Sequence, residues 1–471
     1  MKVYDLIIIG SGAGLMVMEE GLKNGLSCAV IERGKMGGTC LTKGCIPSKM
    51  LVYPADFIRE SQDSERFGVA STNPVPDWKR ISERVWEQID FHVQIEHSLN
   101  QIPGLTVYKG TASFEDSHII RIDYGDGRDP DFIRGKKIVI ATGARSFVPE
   151  LPGLKEAGYL TSETFFGDKY PDHPWKSLII LGSGAISAEF AHIFSAMGTK
   201  VTLVARSSRI LKLEEEEVSL FVQDRFARDG IRILTDTVAL SAVKRDGLKV
   251  VIVENRVTGE KQELSAEEIL VAMGTQSTTD LLAPEKAGIR TDNQGWIETN
   301  EFLETSQEGI YAIGDINGKF QLRHKANHEA LVLSHNLFSG LERKAASYDA
   351  VPWAVFTHPQ VARVGATEAE LQKKGIPYQT AKNYYSEVVA GRAMGHREGD
   401  PDNGFVKMIV GEDKKILGVH IAGPQAAALV QPFVYLMNND SIKGYELITD
   451  SMIIHPSLSE LAGWTFEKIQ W

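Results

Sequence analysis

Two of the chain's three cysteines form a C-x4-C pair, Cys40 and Cys45, in the segment Gly37-Gly38-Thr39-Cys40-Leu41-Thr42-Lys43-Gly44-Cys45-Ile46-Pro47-Ser48-Lys49. A pair so spaced can close a small disulfide loop at a helix start. Thiolate attack on such a disulfide is readily reversed, so the pair can store and release two electrons. The spacing is not that of the common structural zinc sites, and no nearby Cys or His completes one, so no metal is expected. Far down the chain stands His455-Pro456-Ser457-Leu458-Ser459-Glu460. Thiol–disulfide exchange needs a base to form the attacking thiolate and an acid to protonate the leaving thiol. Histidine does both near neutral pH. The third cysteine, Cys28, lies in the apolar run Ser27-Cys28-Ala29-Val30-Ile31 and reads as a small core residue.

These groups need a scaffold, and the pattern supplies two βαβ units. The first is a strand Tyr4–Ile9, the turn Gly10-Ser11-Gly12-Ala13-Gly14-Leu15, a helix to about Asn24 and a strand from Ser27 to Glu32. The run Leu6-Ile7-Ile8-Ile9 suits a strand buried on both faces of a parallel sheet. Gly10 and Gly12 match the first two positions of a G-x-G-x-x-G turn, with Leu15 in the third. That glycine normally permits close packing of helix on strand, and Gly14, one place earlier, can relieve the same crowding. Glu32 ends the second strand where a carboxylate binds a ribose hydroxyl.

The second unit runs from Leu178-Ile179-Ile180-Leu181 through Gly182-Ser183-Gly184-Ala185-Ile186-Ser187 to Lys200-Val201-Thr202-Leu203-Val204. Small Ser187 stands in the third glycine's place. No carboxylate ends its second strand; Ala205-Arg206-Ser207-Ser208-Arg209 stands there, with Lys212 beyond. A basic group accommodates the 2′-phosphate of NADPH where an acid would favour NADH, so NADPH is expected, with NADH possible. Two dinucleotide folds imply two nucleotides, one held permanently and one exchanging.

A chain of 471 residues is too long for one core and suggests about three domains. A formal net charge of −11 argues against nucleic acid or an anionic membrane as partner. No apolar run approaches the roughly 20 residues of a membrane span. The first strand begins at Val3 and leaves no room for a signal peptide. Three cysteines do not make a structural disulfide framework, and a transient, catalytic disulfide suits the reducing cytosol. A cytoplasmic protein is therefore expected.

The motifs, in order from Tyr4 to about Glu460, resemble those of the class I flavoprotein disulfide reductases. The resemblance implies an α/β fold with two Rossmann-like dinucleotide-binding domains, for FAD and NADPH, and a C-terminal α+β dimerisation domain. Residues 1–150 and 277–345 would form the FAD domain, 151–276 the NAD(P)H domain and 346–471 the interface domain. Ile138–Arg145 and Ile269–Gly274 resemble the family's crossovers out of the two nucleotide domains, with Pro149 and Pro152 marking the linker. Phe405–Val410 and Ile416–Ile421 read as antiparallel strands of the interface domain, followed by amphipathic helices.

The same resemblance implies roles. Cys45 would be the sulfur next to the flavin, a thiolate donor to it, and Cys40 the interchange thiol that attacks substrate. Lys49 would pair with Glu189 beside the flavin's reactive nitrogen. His455, oriented by Glu460, would serve the partner subunit's site, making a homodimer with shared active sites. The FAD contacts would come from Gly10, Gly12, Ala13, Gly14, Glu32, Arg33, Gly38, Thr39, Ala112, Thr142, Gly143, Asp315 and Ala326. The coenzyme contacts would come from Gly182, Ser183, Gly184, Ile186, Arg206, Lys212 and Gly274. His324, His328 and His358 would not be bases.

Within the family, Gly44–Tyr53, Ala188–Ala196 and Ala326–Ala330 are most similar to the mycothione reductase branch, as is the lack of glycine at Leu15. These stretches line cofactors and not the disulfide. No cysteine follows Cys45, which sets the chain apart from mercuric reductase and large thioredoxin reductase. Ala205-Arg206 argues against an NADH-linked dihydrolipoamide dehydrogenase, the alternative reading. Ala185 replaces the aromatic residue that gates the nicotinamide pocket in many relatives. A quinone reductase or NAD(P)H oxidase would need neither both cysteines nor His455. A subunit docked in a 2-oxo-acid dehydrogenase complex would need a surface that sequence does not display.

Overall fold

The structure is a computed structural model and describes residues 1–439, 447–448 and 450–470. The first apolar run becomes β1 (Lys2–Ile9), whose second half is buried. It lies between parallel neighbours β2 (Cys28–Glu32) and β6 (Asp131–Ile140), with α1 (Gly14–Lys23) as the first crossover. Strands lie on both sides, Leu6 and Ile8 pack against α1, and Ile7 and Ile9 pack against residues 112–122 and 282–289, which accounts for the unbroken apolar run of Leu6 to Ile9. After β2 come α2 (Gly38–Thr42), α3 (Cys45–Gln62) and α4 (Trp78–Leu99), then β3 (Leu105–Lys109) alongside β2. The strands β4 (Thr111–Phe114) and β5 (Ile119–Asp123) complete the order β3-β2-β1-β6-β5-β4.

Two short strands lead in and out of a second layered unit. β7 (Ala144–Ser146) leaves the first sheet, and α5 (Leu154–Ala157) and α6 (Ser162–Phe165) follow. The second parallel sheet runs β10-β9-β8-β14, built from β8 (Ser177–Leu181), β9 (Lys200–Val204), β10 (Arg232–Leu234) and β14 (Glu268–Val271). Between its strands lie α7 (Ala185–Ala196) and α8 (Glu216–Arg228). An antiparallel sheet of β11 (Thr237–Arg245), β12 (Leu248–Asn255) and β13 (Lys261–Ala266) packs beside it and was not foreseen from sequence. The chain returns through β15 (Thr275–Ser277), which pairs antiparallel with β7, so both connections between the units run side by side. Then β16 (Ile310–Ala312) joins the edge of β6 in the first sheet, and α9 (Arg323–Phe338) packs against α1.

The C-terminal region is a fully antiparallel sheet, ordered β17-β18-β21-β20-β19. Its strands are β17 (Trp353–Val355), β18 (Val361–Gly365), β19 (Tyr378–Tyr384), β20 (Phe405–Gly411) and β21 (Ile416–Ala422). The two strands read from sequence here are present and pair as expected. Part of the helical region that follows them lies outside the described residues. Among the described residues no helix is long and apolar enough to cross a membrane.

The two glycine turns depart from the usual motif in ways the packing explains. A Cβ on Gly14 would lie 2.6 Å from Ile8 Cγ2 and 2.9 Å from Ala141 Cβ. Gly14 thus permits the close helix–strand approach normally left to the third glycine, and Leu15 is free to be large and half-buried. In the second turn Ser187 is fully buried and its hydroxyl donates to the Ala272 carbonyl at 3.3 Å. Cys28 is buried in β2, as a core residue should be. Gly14→Ala should therefore overpack the first turn and destabilise the protein by about 1–3 kcal/mol. An earlier urea midpoint for this domain measures the loss, and an unchanged midpoint would place the tight contact elsewhere.

Candidate active site

The two cysteines sit on different helices. Cys40 lies within α2, and Cys45 is the first residue of α3. Only Lys43 and Gly44 separate the helices. This joint is folded tightly: the Lys43 amide donates to the Thr39 carbonyl at 3.0 Å, and a Cβ on Gly44 would stand 2.9 Å from that same oxygen. Both cysteines are free thiols here. The Cys40 thiol is drawn down to about 7, chiefly by the Cys45 thiol that faces it. Burial opposes that shift, while the Arg323 guanidinium and the backbone N–H groups of Ile46 and Cys45 reinforce it. An α3 N-terminus aimed at a sulfur is a known way to favour a thiolate. Cys45 is pushed the other way, first by serving Cys40 and then by burial. The two thiols therefore ionise as one pair, the first proton leaving at the other thiol's expense.

Lys49 stands one turn into α3. Its Nζ lies 2.6 Å from Glu189 Oε2 on α7, joining the two nucleotide-binding units. The other Glu189 oxygen accepts the Phe356 amide at 3.1 Å, and Lys49 Nζ lies 4.3 Å from the centre of the Phe356 ring. Further along the same helix pair, Asp56 Oδ1 meets His192 Nε2 at 2.8 Å and Arg59 donates to Ser195 Oγ at 2.8 Å.

His455 and Glu460 come together as expected. Glu460 Oε1 lies 2.6 Å from His455 Nδ1, and Oε2 accepts the Ser457 amide at 3.0 Å. Burial would raise the Glu460 carboxyl, but these two donors outweigh it and hold it below the usual range. The His455 ring is 64% exposed, and its Nε2 is left to the outside. Among the described residues no hydrogen bond or ion pair joins residues 455–460 to α2 or α3 of the same chain.

The residues expected to contact the nucleotides fall into two groups, those of the FAD set and those of the coenzyme set. In the first, Gly10 needs its φ of +99° and has the Ala141 carbonyl 2.4 Å from where a Cβ would be, while the side of Gly12 is open to 4.0 Å. Glu32 Oε2 accepts both the Ser11 amide and the Ser11 hydroxyl, at 3.0 and 2.7 Å, bracing the turn from the end of β2. Gly38 packs directly on Gly12, where a Cβ would stand 2.7 Å from the Gly12 Cα. Arg33 and Thr39 are exposed, Ala13, Ala112 and Ala326 are buried, and Thr142 with Gly143 forms the turn after β6. The Asp315 carboxylate receives no hydrogen bond from any described residue, and burial lifts it to about 6. Beneath it Glu329, fully buried, accepts the Gly314 amide at 2.6 Å and pairs with Lys325 at 3.1 Å.

In the second group Gly182 lies against the Ala272 carbonyl, and a Cβ on Gly184 would meet nothing within 4 Å. The Leu211 amide donates to the Ser183 carbonyl at 2.8 Å, binding the turn to the loop that carries Arg206 and Lys212. Ile186, Arg206 and Lys212 are all exposed there, and Gly274 follows β14 at a φ of +113°. His358 is occupied by Glu60 at 3.0 Å and His324 by the Pro352 carbonyl at 2.8 Å. His328 is exposed on α9.

Sequence reasoning missed three residues at this site. Arg323 carries no motif of its own and stands next to His324, which is not expected to act as a base. Phe356 has no motif and reaches Glu189 only through tertiary folding. Lys43, inside the cysteine pair itself, binds Glu163 at 2.5 Å. Its position between the cysteines was the one available signal.

Arg323→Ala should raise the Cys40 thiol, because removing a cation disfavours the thiolate. The rate of iodoacetamide alkylation of the reduced protein should rise with pH through a midpoint near 7 in the wild type. In the variant that midpoint should move upward. A midpoint that does not move would remove Arg323 from the thiolate's environment.

Residues 4–330 match the family described as pyridine nucleotide-disulphide oxidoreductase, and residues 351–466 match its dimerisation domain. Mycothione reductase of Mycobacterium tuberculosis is 32% identical over 98% of each chain. Dihydrolipoyl dehydrogenase of Chlamydia pneumoniae is 30% identical over 97% of this chain and 95% of its own. Among solved structures, the HOCl-induced flavoprotein disulfide reductase RclA of Escherichia coli is 28% identical and superposes with a TM-score of 0.84 over 98% and 99% of the two chains. With both glycine-turn units and the paired thiols inside the first match and the C-terminal sheet inside the second, the chain belongs to the pyridine nucleotide-disulphide oxidoreductase family, FAD-dependent enzymes that use NAD(P)H.

Proposed function

We propose that the protein carries electrons from NADPH through FAD and the Cys40–Cys45 couple to a small disulfide of the mycothione type. It would work as a homodimer in which His455 and Glu460 of each subunit complete the other's site. The observation that carries this reading is the thiol pair facing across the α2–α3 joint, with Lys49 one turn into α3 and bound to Glu189 of the coenzyme unit. The domain limits would be 1–150 with 277–345 for FAD, 151–276 for coenzyme and 346–471 for the interface.

The residues present fit FAD. Gly12 offers an open side next to Gly38, and the Asp315 carboxylate lacks a hydrogen-bond donor that a ligand hydroxyl would provide. FAD, when bound, supplies hydride acceptance on one face and electron passage to a sulfur on the other. The chain's own residues do the rest. Lys49 places a fixed cation at the junction of the two nucleotide units, and Glu189 holds it there. Cys40, with its lowered thiol, attacks the substrate disulfide. His455 then protonates the departing thiol, its ring held in one tautomer by Glu460. Arg206 and Lys212 receive the 2′-phosphate of NADPH, and the absence of an acid at the end of β9 weighs against an NADH-linked dihydrolipoyl dehydrogenase.

Steady-state kinetics with both coenzymes against a panel of disulfides tests this reading. NADPH should exceed NADH in kcat/KM. Arg206→Ala should cost NADPH roughly 10- to 150-fold, the loss of one charge-assisted contact, and barely alter NADH. A wild-type preference for NADH would revive the dihydrolipoyl dehydrogenase reading. For the shared site, inactive Cys40→Ser and inactive His455→Ala chains should regain activity on subunit exchange, because in a mixed dimer one site escapes both lesions. Proven exchange without activity would place both groups in one subunit's site.

A further inference from the structure

The two-residue joint between the cysteine helices is held from outside. Lys43 Nζ lies 2.5 Å from Glu163 Oε2 on α6, and both side chains are largely shielded, at 31% and 23% exposure. Glu163 is braced in turn, because its Oε1 accepts the Ser146 amide of β7 at 2.7 Å. β7 is itself paired with β15, so the carboxylate rests on the two strands that connect the nucleotide units. Burial alone would raise the Glu163 carboxyl, but Lys43 and Ser146 outweigh it and keep it ionised. Lys43 is not among the groups acting on either sulfur; those are Arg323 for Cys40 and Lys49 for Cys45. Its cation is spent on Glu163, and its position is mechanical.

We propose that the Lys43–Glu163–Ser146 relay is a positioning device that sets the reduction potential of the Cys40–Cys45 couple. The inference rests on the reading that this pair cycles between dithiol and disulfide. The two sulfurs approach or part according to the angle at Lys43–Gly44. A disulfide constrains that angle by its own covalent bond, whereas the dithiol is constrained only by the joint and its anchor. Removing the anchor therefore frees the dithiol more than the disulfide and lowers the effective concentration of one thiol at the other. The equilibrium protein disulfide + 2 GSH ⇌ protein dithiol + GSSG moves to the right, and the potential rises.

The experiment equilibrates purified holoenzyme with glutathione buffers, quenches in acid, alkylates free thiols and counts them by mass spectrometry. Lys43→Met and Glu163→Gln should each favour the dithiol by roughly three- to tenfold. At about 30 mV per tenfold for two electrons, that is a rise of ~15–30 mV. Lys43→Arg should keep the wild-type value, and the double variant should shift no further than either single one. The sign separates this from a direct charge effect. Were Lys43 stabilising a thiolate, Lys43→Met would lower the potential. An unchanged or lowered potential in Lys43→Met, or a shift that only tracks lost flavin, overturns the proposal. A wild-type protein that forms no Cys40–Cys45 bond in any glutathione buffer overturns it together with the reading on which it rests.

Discussion

The position of α3 governs everything else in this molecule. Its first residue is Cys45, one of the two facing thiols, so the position of the helix sets the position of that sulfur. Three contacts hold it to α7 of the coenzyme unit: Lys49 to Glu189, Asp56 to His192, and Arg59 to Ser195. The partners advance together along both helices, so the pair runs parallel and the contacts fix its register. His192 is fully buried, and burial holds it below the usual histidine range. It also stacks on His358 of the C-terminal region, with ring centres 6.1 Å apart, and His358 reaches back to Glu60 of α3. Each such bond contributes only about 0.5–3 kcal/mol net, the upper end applying to those with a charged partner. Their common effect is geometric: one helix is registered at once against all three parts of the fold.

The legible features of the sequence were those in which local chain geometry and chemistry coincide. Gly10 and Gly182 have to turn under a neighbouring carbonyl, so their spacing announces a βαβ unit. The role of Gly14 could be inferred because the crowding it relieves lies within its own unit. His455 and Glu460 lie five positions apart and meet within one segment. Lys43 and Glu163 are 120 residues apart, and Glu189 and the Phe356 amide 167. Those pairings exist only once the sheets have stacked. The antiparallel β11–β13 sheet was equally hidden, since its strands alternate like many surface strands and carry no turn that distinguishes an insertion from a continuation.

The same distinction explains the one place where expectation and electrostatics diverge. Family resemblance makes Cys45 the thiolate, yet within the chain it is Cys40 that is pulled down. Two thiols this close titrate as a unit, so one proton leaves and the remaining thiol serves the resulting anion. The cations around them add to this mutual effect: Arg323 acts on Cys40 and Lys49 on Cys45. Lys49 lies nearer Cys45 but is neutralised by Glu189 at 2.6 Å.

The surroundings of α9 supply the counterweight. Arg323, His324 and Lys325 place three basic residues in the first turn of a helix, where the dipole disfavours positive charge. Lys325 is compensated by buried Glu329, and His324 by the Pro352 carbonyl. Arg323 pairs with no carboxylate among the described residues, and its guanidinium stands beside the Gly12–Gly38 crossing, two residues from Cys40. Arg323 is exposed, and its positive charge helps lower the Cys40 thiol. The Cys45 thiol remains the main influence on Cys40, and Arg323, from a helix two hundred and more residues away in sequence, reinforces it. The fold keeps that helix close because α9 packs on α1, the crossover of the first glycine turn.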